Sequence, residues 1–394
     1  MAEVVVIGAG PAGCSAAYFL ARQGVDVVLL DRADFPRDKV CGEALSPRSL
    51  AVLRQMGLAG LCERAHPVTG GLIIAPNGRS MVSEAEAPGV MLRRRELDAA
   101  LLERAREAGA RFVPRRPFVR LTRRPDALVV GTGPGESFPA RAAVLATGSN
   151  AAALKAAGVL RPPAAASSFA ARAYFEGATG PPDKIIHSLD RFLSPGYGWI
   201  FPMGDGTVNV GVALHRCTAR RLDLRGSFEW FLRDSMAARR FLGAARQVSP
   251  MGCGALRSGL RGSRLAAERL LMVGDAAGAA IPSNGEGISG ALATGRMAAE
   301  ALLGALGTRD LSAAALGAYA RGVRARYGRR MKRAGWIRRM LACPAAVNWL
   351  VACGREDGLA ADRLCDVIEG TRSARLLLSP RRLLRLFGGA DRAP

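Results

Sequence analysis

Three glycines, Gly8, Gly10 and Gly13, stand in the spacing G-x-G-x-x-G. That pattern suits phosphate binding by backbone. Gly8 makes a tight turn, Gly10 lets the chain approach a pyrophosphate, and Gly13 lets a helix pack on a strand. Pro11 and Ala12 lie between the second and third glycine, at the start of that helix. Free N–H groups and the positive dipole end of the helix draw phosphate there. Asp31 follows with Arg32 beside it. Its place, about 20 residues on, is where an acid takes ribose hydroxyls. This motif by itself does not separate FAD from NAD.

A second glycine-bearing turn lies far along the chain. Leu270 to Val273 reads as a strand, and Gly274-Asp275-Ala276-Ala277-Gly278 follows, then Gly285, Gly287 and a helix from Ile288. A strand so placed delivers Asp275 to ribityl hydroxyls. The glycines permit close approach, and the helix N-terminus from Ile288 faces the N1–O2 edge of a flavin. Two such turns on one molecule favour FAD over NAD.

Two stretches between the turns carry reactive or aromatic groups. One is Lys39-Val40-Cys41-Gly42-Glu43, in a loop after the second strand, followed by Ser46-Pro47. The other is Ser194-Pro195-Gly196-Tyr197-Gly198-Trp199-Ile200-Phe201-Pro202. With a period of two, Tyr197 and Trp199 share one face of a strand. Aromatics there wall a pocket for an elongated apolar ligand, unless they are ordinary core.

A basic residue, Cys-Gly-Glu and a Ser-Pro helix, with the P-x-Y-x-W-x-F-P stretch, resemble the geranylgeranyl reductase family of FAD-dependent oxidoreductases. That family has the p-hydroxybenzoate hydroxylase type of fold. The resemblance implies that Cys41 lies near the isoalloxazine ring and that Tyr197, Trp199 and Phe201 line the substrate pocket. It also implies that an arginine at the start of the next helix touches the cofactor. Arg94 fits, with Arg93 and Arg95 as competitors. A backbone segment after that helix cups the adenine, which carries over to Val119. Where related hydroxylases have Asp-Gly, this chain has Thr147-Gly148, which weakens a claim on NADPH contacts.

These residues need strands and helices to position them. Val4 to Ile7 and Val25 to Leu30 read as buried parallel strands, with a helix from Cys14 to Gln23 between them. Gly71 to Val82 reads as a hairpin turning at Asn77-Gly78, and the helix that opens at Arg94 closes at Gly109. Short strands are expected over Pro117 to Leu121 and Ala127 to Val130, and a buried one over Arg141 to Thr147. Phe169 to Glu176, Lys184 to Leu189, Trp199 to Pro202 and Thr207 to Leu214 suggest an antiparallel sheet. Ser227 to Leu242 reads as a helix, Gly252 to Gly259 as irregular, and Leu311 to Met340 as a long arginine-rich helix.

The expected class is α/β, α+β overall. A discontinuous Rossmann-like FAD-binding domain spans 1–72, 91–160 and 265–310. An interleaved antiparallel-sheet substrate domain spans 73–90 and 161–264, and C-terminal helices span 311–394, including Leu376-Leu377-Leu378 and Leu383-Leu384.

The net charge of +23 invites nucleic acid or membrane. Only four lysines contribute, the arginines are scattered, and no nucleic-acid motif accompanies them, so compositional bias explains the charge and nucleic acid is not expected. Eight cysteines show no metal-ligand spacing, so no metal is expected. The chain runs straight into its first strand, and reduced thiols in a cytoplasm are the simplest picture. Leu341 to Cys353 is too short and interrupted to span a membrane. Trp336 and Trp349, flanked by arginines, suit a peripheral membrane contact, although plain helical packing is the simpler reading.

The chemistry expected of such a site is hydride transfer from reduced flavin to a carbon–carbon double bond, with a proton arriving on the neighbouring carbon. Cys41, Tyr197 or a water near Glu43 are the candidate donors. The resemblance points to isoprenoid substrates, as a diphosphate, chlorophyll, quinone or archaeal-type lipid. Electrons come from NAD(P)H or a ferredoxin, since no second GxGxxG offers a dedicated NAD(P)H domain. The alternatives are hydroxylation of an aromatic or polyketide-like substrate, halogenation assisted by Lys39, and a flavin-binding carrier without turnover.

Overall fold

In a computed structural model the described residues are 1–133, 135–163, 165–216, 223–356 and 362. Two sheets organise them, as an α/β architecture. The first sheet contains β1 (Ala2–Ile7), β2 (Val27–Leu30), β6 (Arg111–Val113), β9 (Ser137–Leu145), β16 (Ala266–Ala267) and β17 (Leu270–Met272), in the order β16-β17-β9-β1-β2-β6. A hairpin of β7 (Phe118–Arg123) and β8 (Leu128–Thr132) joins it through β9. β1 runs parallel to β2 on one side and β9 on the other, with Val6 opposite Leu29 and Val144. Val4, Val5 and Val6 are fully buried. Their continuous apolar run reflects a strand covered on both faces.

α1 (Pro11–Ala21) packs against α8 (Ile288–Gly307) and against α4 (Arg94–Glu107). This brings the element after the first glycine turn onto the element after the second. α2 (Pro47–Gln55) and α3 (Ala59–Arg64) follow the Cys-Gly-Glu loop, and α5 (Ala151–Ala156) follows β9.

The second sheet contains β3 (Ala44–Leu45), β4 (His66–Ile74), β5 (Ser80–Met91), β10 (Ser168–Glu176), β11 (Lys184–Ser188), β12 (Tyr197–Pro202), β13 (Thr207–His215) and β14 (Arg246–Gln247). Their order is β14-β10-β13-β12-β11-β4-β5-β3, and β15 (Gly252–Leu256) pairs with β10. All these pairings are antiparallel except β11 with β4. Alternation sorts the side chains to two faces. Ile200, Val210 and Val212 meet Phe228 and Phe231 of α6 (Leu224–Asp234) and Phe241 of α7 (Met236–Phe241). Trp199 and Phe201 pack on the other face with Val68 and Met91. α9 (Ala313–Met340) and α10 (Pro344–Glu356) close the β4–β5 end, where Ile337 and Val347 pack on Ile73 and Met81.

Three local expectations change. The hairpin read at Gly71 to Val82 is longer, pairing from His66–Met91 inward, so a boundary at residue 73 would cut through β4. The helix read from Ser227 to Leu242 is two helices, because Ser235 is extended and its hydroxyl accepts from Ala238 N at 3.0 Å as an N-cap. Gly252 to Gly259 is not irregular throughout. Gly252–Leu256 is a strand, and its glycines make room for Val40: a Cβ on Gly252 would stand 2.8 Å from Val40 Cγ2. The leucine clusters at 376–378 and 383–384 lie outside the described residues.

Candidate flavin and substrate site

The three glycines of the first turn have separate jobs. Gly8 has φ +108°, and a Cβ there would overlap the carbonyl of Ala146. A Cβ on Gly13 would overlap the carbonyl of Gly8. Gly10 faces open space, with Arg37 Nη2 at 3.8 Å the nearest atom to a Cβ placed on it. Gly10 caps α1 without a side-chain partner, Pro11 stands in the first turn, and Cys14 N is bonded to Gly10 O at 2.9 Å. The amides of Ala12 and Gly13 therefore have no acceptor within the helix. Asp31 is buried, and its carboxylate accepts from Ala9 N (2.7 Å) and Ala33 N (2.9 Å). It thus fixes the turn, while its remaining lone pairs can accept from a ligand. Arg32 and Val119 are exposed, and Val119 stands on β7, three residues after Arg116, whose N donates to Asp31 O at 2.7 Å.

The second turn lies directly against the first. A Cβ on Gly274 would come within 2.9 Å of Ala12 Cβ, and one on Gly295 would overlap the carbonyl of Ala12. Asp275 lies beside Gly287, whose Cβ position is 3.4 Å from Asp275 Oδ1. Gly285 has φ +72°. Gly287 caps α8 with no side-chain bond, so Ile288 opens the helix with free amides, apart from Ser289 N, which donates to Glu286 Oε1 at 3.1 Å. Burial pushes the Asp275 carboxyl up, against the pull of Lys39, Arg94 and Arg257. Lys39 reaches the surface, yet partial desolvation and the nearby Arg94 push its ammonium down.

Among the three candidate arginines, Arg94 is the buried one. Its guanidinium makes two bonds to Asp98, at 2.8 and 2.7 Å, and Arg37 Nη1 is 3.0 Å from the same carboxylate. Arg93 instead pairs with Asp205 at 2.6 Å, and Arg95 is exposed. Asp98 is wholly buried and holds both cations at one edge of the cleft.

The Cys-Gly-Glu loop is pressed onto the aromatic strand. A Cβ on Gly42 would stand 2.9 Å from Phe201 Cε2 and 3.9 Å from Trp199 Nε1. Tyr197, Trp199 and Phe201 follow one another along the face, with ring centroids 6.0 and 6.2 Å apart. Tyr197 Oη donates to Asn284 O at 2.5 Å, which ties this wall to the second turn. Burial, with Cys41 nearby, raises the Tyr197 phenol well above its ordinary value.

Glu43 ties three elements together. Only 1% exposed, it accepts from Arg94 N (2.8 Å) through Oε1, and from Tyr174 Oη (2.6 Å) and Asn209 Nδ2 (3.0 Å) through Oε2. Burial still raises its carboxyl above the usual range. Both oxygens accept from groups on three separate elements, which fixes the carboxyl in place. Glu43 N also donates to Cys41 Sγ at 3.3 Å. Cys41, unlike Glu43, remains partly exposed.

A model of the FAD-binding domain matches residues 1–160. A menaquinone reductase of Mycobacterium tuberculosis is 36% identical over 332 residues, covering 79% of this chain and 78% of that protein. The chain belongs to the geranylgeranyl reductase family of FAD-dependent oxidoreductases. Within that family, digeranylgeranylglycerophospholipid reductase 1 of Methanopyrus kandleri is 31% identical over 330 residues, covering 80% of this reductase and 84% of that one. The solved structure of a geranylgeranyl bacteriochlorophyll reductase-like protein from Thermoplasma acidophilum has the same fold, with a TM-score of 0.85 over 98% of each chain at 20% identity.

FAD fits the residues of this reductase. Gly10 leaves an open cradle beside Arg37 at the N-terminus of α1, α1 packs on α8, and Asp275 lies beside Gly287 at the N-terminus of α8. Ala12, Gly13, Arg37 and Ile288 would hold phosphate and flavin oxygens, and Asp31 and Asp275 the sugar hydroxyls.

Sequence reasoning missed Arg37, Tyr174, Asn209 and His187. Asn209 donates to Cys41 O (2.9 Å) and accepts from Trp199 Nε1 (2.9 Å). Its signal was a polar residue at an inward position of an otherwise apolar strand. Tyr174 lies between two guanidinium groups, Arg93 at 4.4 Å and Arg172 at 4.3 Å from its ring centroid, which no local pattern announces.

Proposed function

We propose that this FAD-dependent reductase hydrogenates carbon–carbon double bonds in the isoprenoid chain of an apolar substrate such as a polyprenyl quinone, with electrons from NAD(P)H or a ferredoxin. The observation that carries the reading is the contact of Phe201 and Trp199 with Gly42. It puts an apolar wall against the loop that bears Cys41.

When bound, FAD supplies a hydride to one alkene carbon. The protein orients the chain along Tyr197, Trp199 and Phe201 and keeps water from it. The neighbouring carbon needs a proton. Tyr197 holds its own firmly and donates it to Asn284 O, and the Glu43 carboxyl already accepts three hydrogen bonds. That leaves the Cys41 thiol as the proton donor, reprotonated afterwards from water.

A peripheral membrane contact belongs to the same proposal, since such substrates reside in lipid. Among the described residues no helix is long and apolar enough to cross a membrane. Phe192, 40% exposed, stacks on Trp230 at 4.3 Å next to the exposed Arg191, and Met236, 42% exposed, shares α7 with the exposed Arg239 and Arg240. Apolar side chains rimmed by arginine suit an anionic lipid surface.

The test is anaerobic. The bound flavin is reduced with dithionite, excess reductant is removed, and a polyprenyl quinone is added. Return of the oxidised flavin spectrum, with a saturated isoprene unit in the recovered quinone, supports the proposal. Reoxidation only on admitting oxygen would replace it with the hydroxylase reading.

A further inference from the structure

His187 is the polar residue that the chemistry above does not use. It lies on β11, directly across from Trp199 on β12 and Ile73 on β4. Its ring meets Tyr197 at 5.4 Å and Phe201 at 5.1 Å between centroids, so it belongs to the aromatic wall. It is half-buried, and among the described residues its ring nitrogens have no hydrogen-bond or ion-pair partner. Burial alone lowers its pKa to about 4, with no charged neighbour contributing. At neutral pH the imidazole is therefore uncharged, with one nitrogen to donate and one to accept.

When an apolar chain displaces the solvent that reaches His187, the imidazole is left as a polar group in an apolar wall, which is costly unless the ligand bonds to it. The other polar groups of the wall are already bonded, Tyr197 Oη to Asn284 O and Trp199 Nε1 to Asn209 Oδ1, and the rest is ring and aliphatic surface, with Ile73, Met81 and Ile337 beyond it. The geometry points to His187 as the hydrogen-bonding residue for a neutral oxygen of the substrate, a quinone carbonyl, ether or hydroxyl. This rests on the reductase reading and narrows its substrate class. A diphosphate is disfavoured here, because several negative charges would be desolvated with no cation at His187 to receive them.

Position adds a second constraint. On β13, Asn209 holds the Cys41 loop; β12 carries the aromatic wall; His187 lies on the next strand away. Adjacent strands are about 4.8 Å apart. His187 therefore lies about two strand spacings across the sheet from the strand that holds the Cys41 loop, on the same side as the aromatic wall.

The experiment measures equilibrium binding to the oxidised, FAD-loaded protein by quenching of tryptophan fluorescence. Menaquinone with a polyprenyl chain is the probe, and squalene and geranylgeranyl diphosphate are competitors. Wild type is expected to hold the quinone about tenfold more tightly than squalene, the scale of one hydrogen bond. His187→Phe loses most of that preference at unchanged FAD content and melting temperature, and His187→Gln recovers part of it. Equal quinone binding by His187→Phe and wild type would overturn the inference. So would tighter binding of the diphosphate than of the quinone. Quinone binding that depends on His187 without anaerobic reoxidation of the flavin would remove the reductase reading and leave this one standing.

Discussion

Gly274 and Ala12 touch: a Cβ on Gly274 would lie 2.9 Å from the Cβ of Ala12, although the two residues begin separate glycine turns. Gly295, on α8, has even less room, with its Cβ position overlapping the carbonyl of Ala12. The cofactor cradle depends on this seam. Gly295→Ala should cost about 1–3 kcal/mol by overpacking and lower FAD content. Gly304, farther along the same helix, has nothing within 4 Å of its Cβ position. Gly304→Ala should therefore gain about 0.5–1 kcal/mol through helix propensity. Thermal melts and the flavin-to-protein absorbance ratio of both variants check the pair.

Gly10 separates binding from folding. Its φ of −79° suits any residue, and a Cβ there meets only Arg37 Nη2 at 3.8 Å. Gly10→Ala is expected to fold with the melting temperature of the flavin-free wild type, yet to bind FAD about 10- to 100-fold more weakly, because the methyl stands where the pyrophosphate approaches. Titration of flavin-free protein with FAD measures it. Gly8→Ala and Gly13→Ala, which collide with backbone, should lose stability as well.

Glu43 gives a pH signature. Its buried carboxyl is raised above the ordinary 4.5, so the native state keeps that proton to higher pH than the unfolded chain. Stability owed to this group is then greatest below 4.5, falls as pH rises toward the native value, and levels off above it. Denaturant unfolding of wild type and Glu43→Gln from acid to neutral pH should show that decline in wild type and a flatter curve in the variant. Glu43→Ala leaves Tyr174 Oη and Arg94 N without their acceptors and should cost about 2–4 kcal/mol.

The lipid-facing proposal makes its own demand. Phe192→Ser with Met236→Ser should reduce co-sedimentation with vesicles containing anionic phospholipid by about 5-fold or more, and salt near 1 M should weaken what remains. Unchanged binding by the double variant would place any membrane contact elsewhere.

The cofactor half was readable because its parts are local. Gly8, Gly10, Gly13 and Asp31 fall within one strand–helix–strand unit, and Asp275, Gly287 and Ile288 within another. Arg94 was picked from three neighbours by family pattern, and burial against Asp98 singles it out. What was not readable depends on pairing across long stretches of chain. β15 forms because β10 is there to receive it, and Ser235 ends one helix by starting another. Glu43 looked like an acid in a reactive loop. Its three partners, Arg94, Tyr174 and Asn209, come from α4, β10 and β13, and only the folded arrangement shows that its oxygens are occupied.

The central claim is reduction of an isoprenoid double bond by flavin held between the two glycine turns. Its most direct test is the mass of the product after a single anaerobic turnover of reduced enzyme with a polyprenyl quinone. The account expects a product that, after any quinol is reoxidised to quinone, is still heavier by two hydrogens, formed without oxygen. A product heavier by one oxygen atom, formed only when oxygen is admitted, would contradict it.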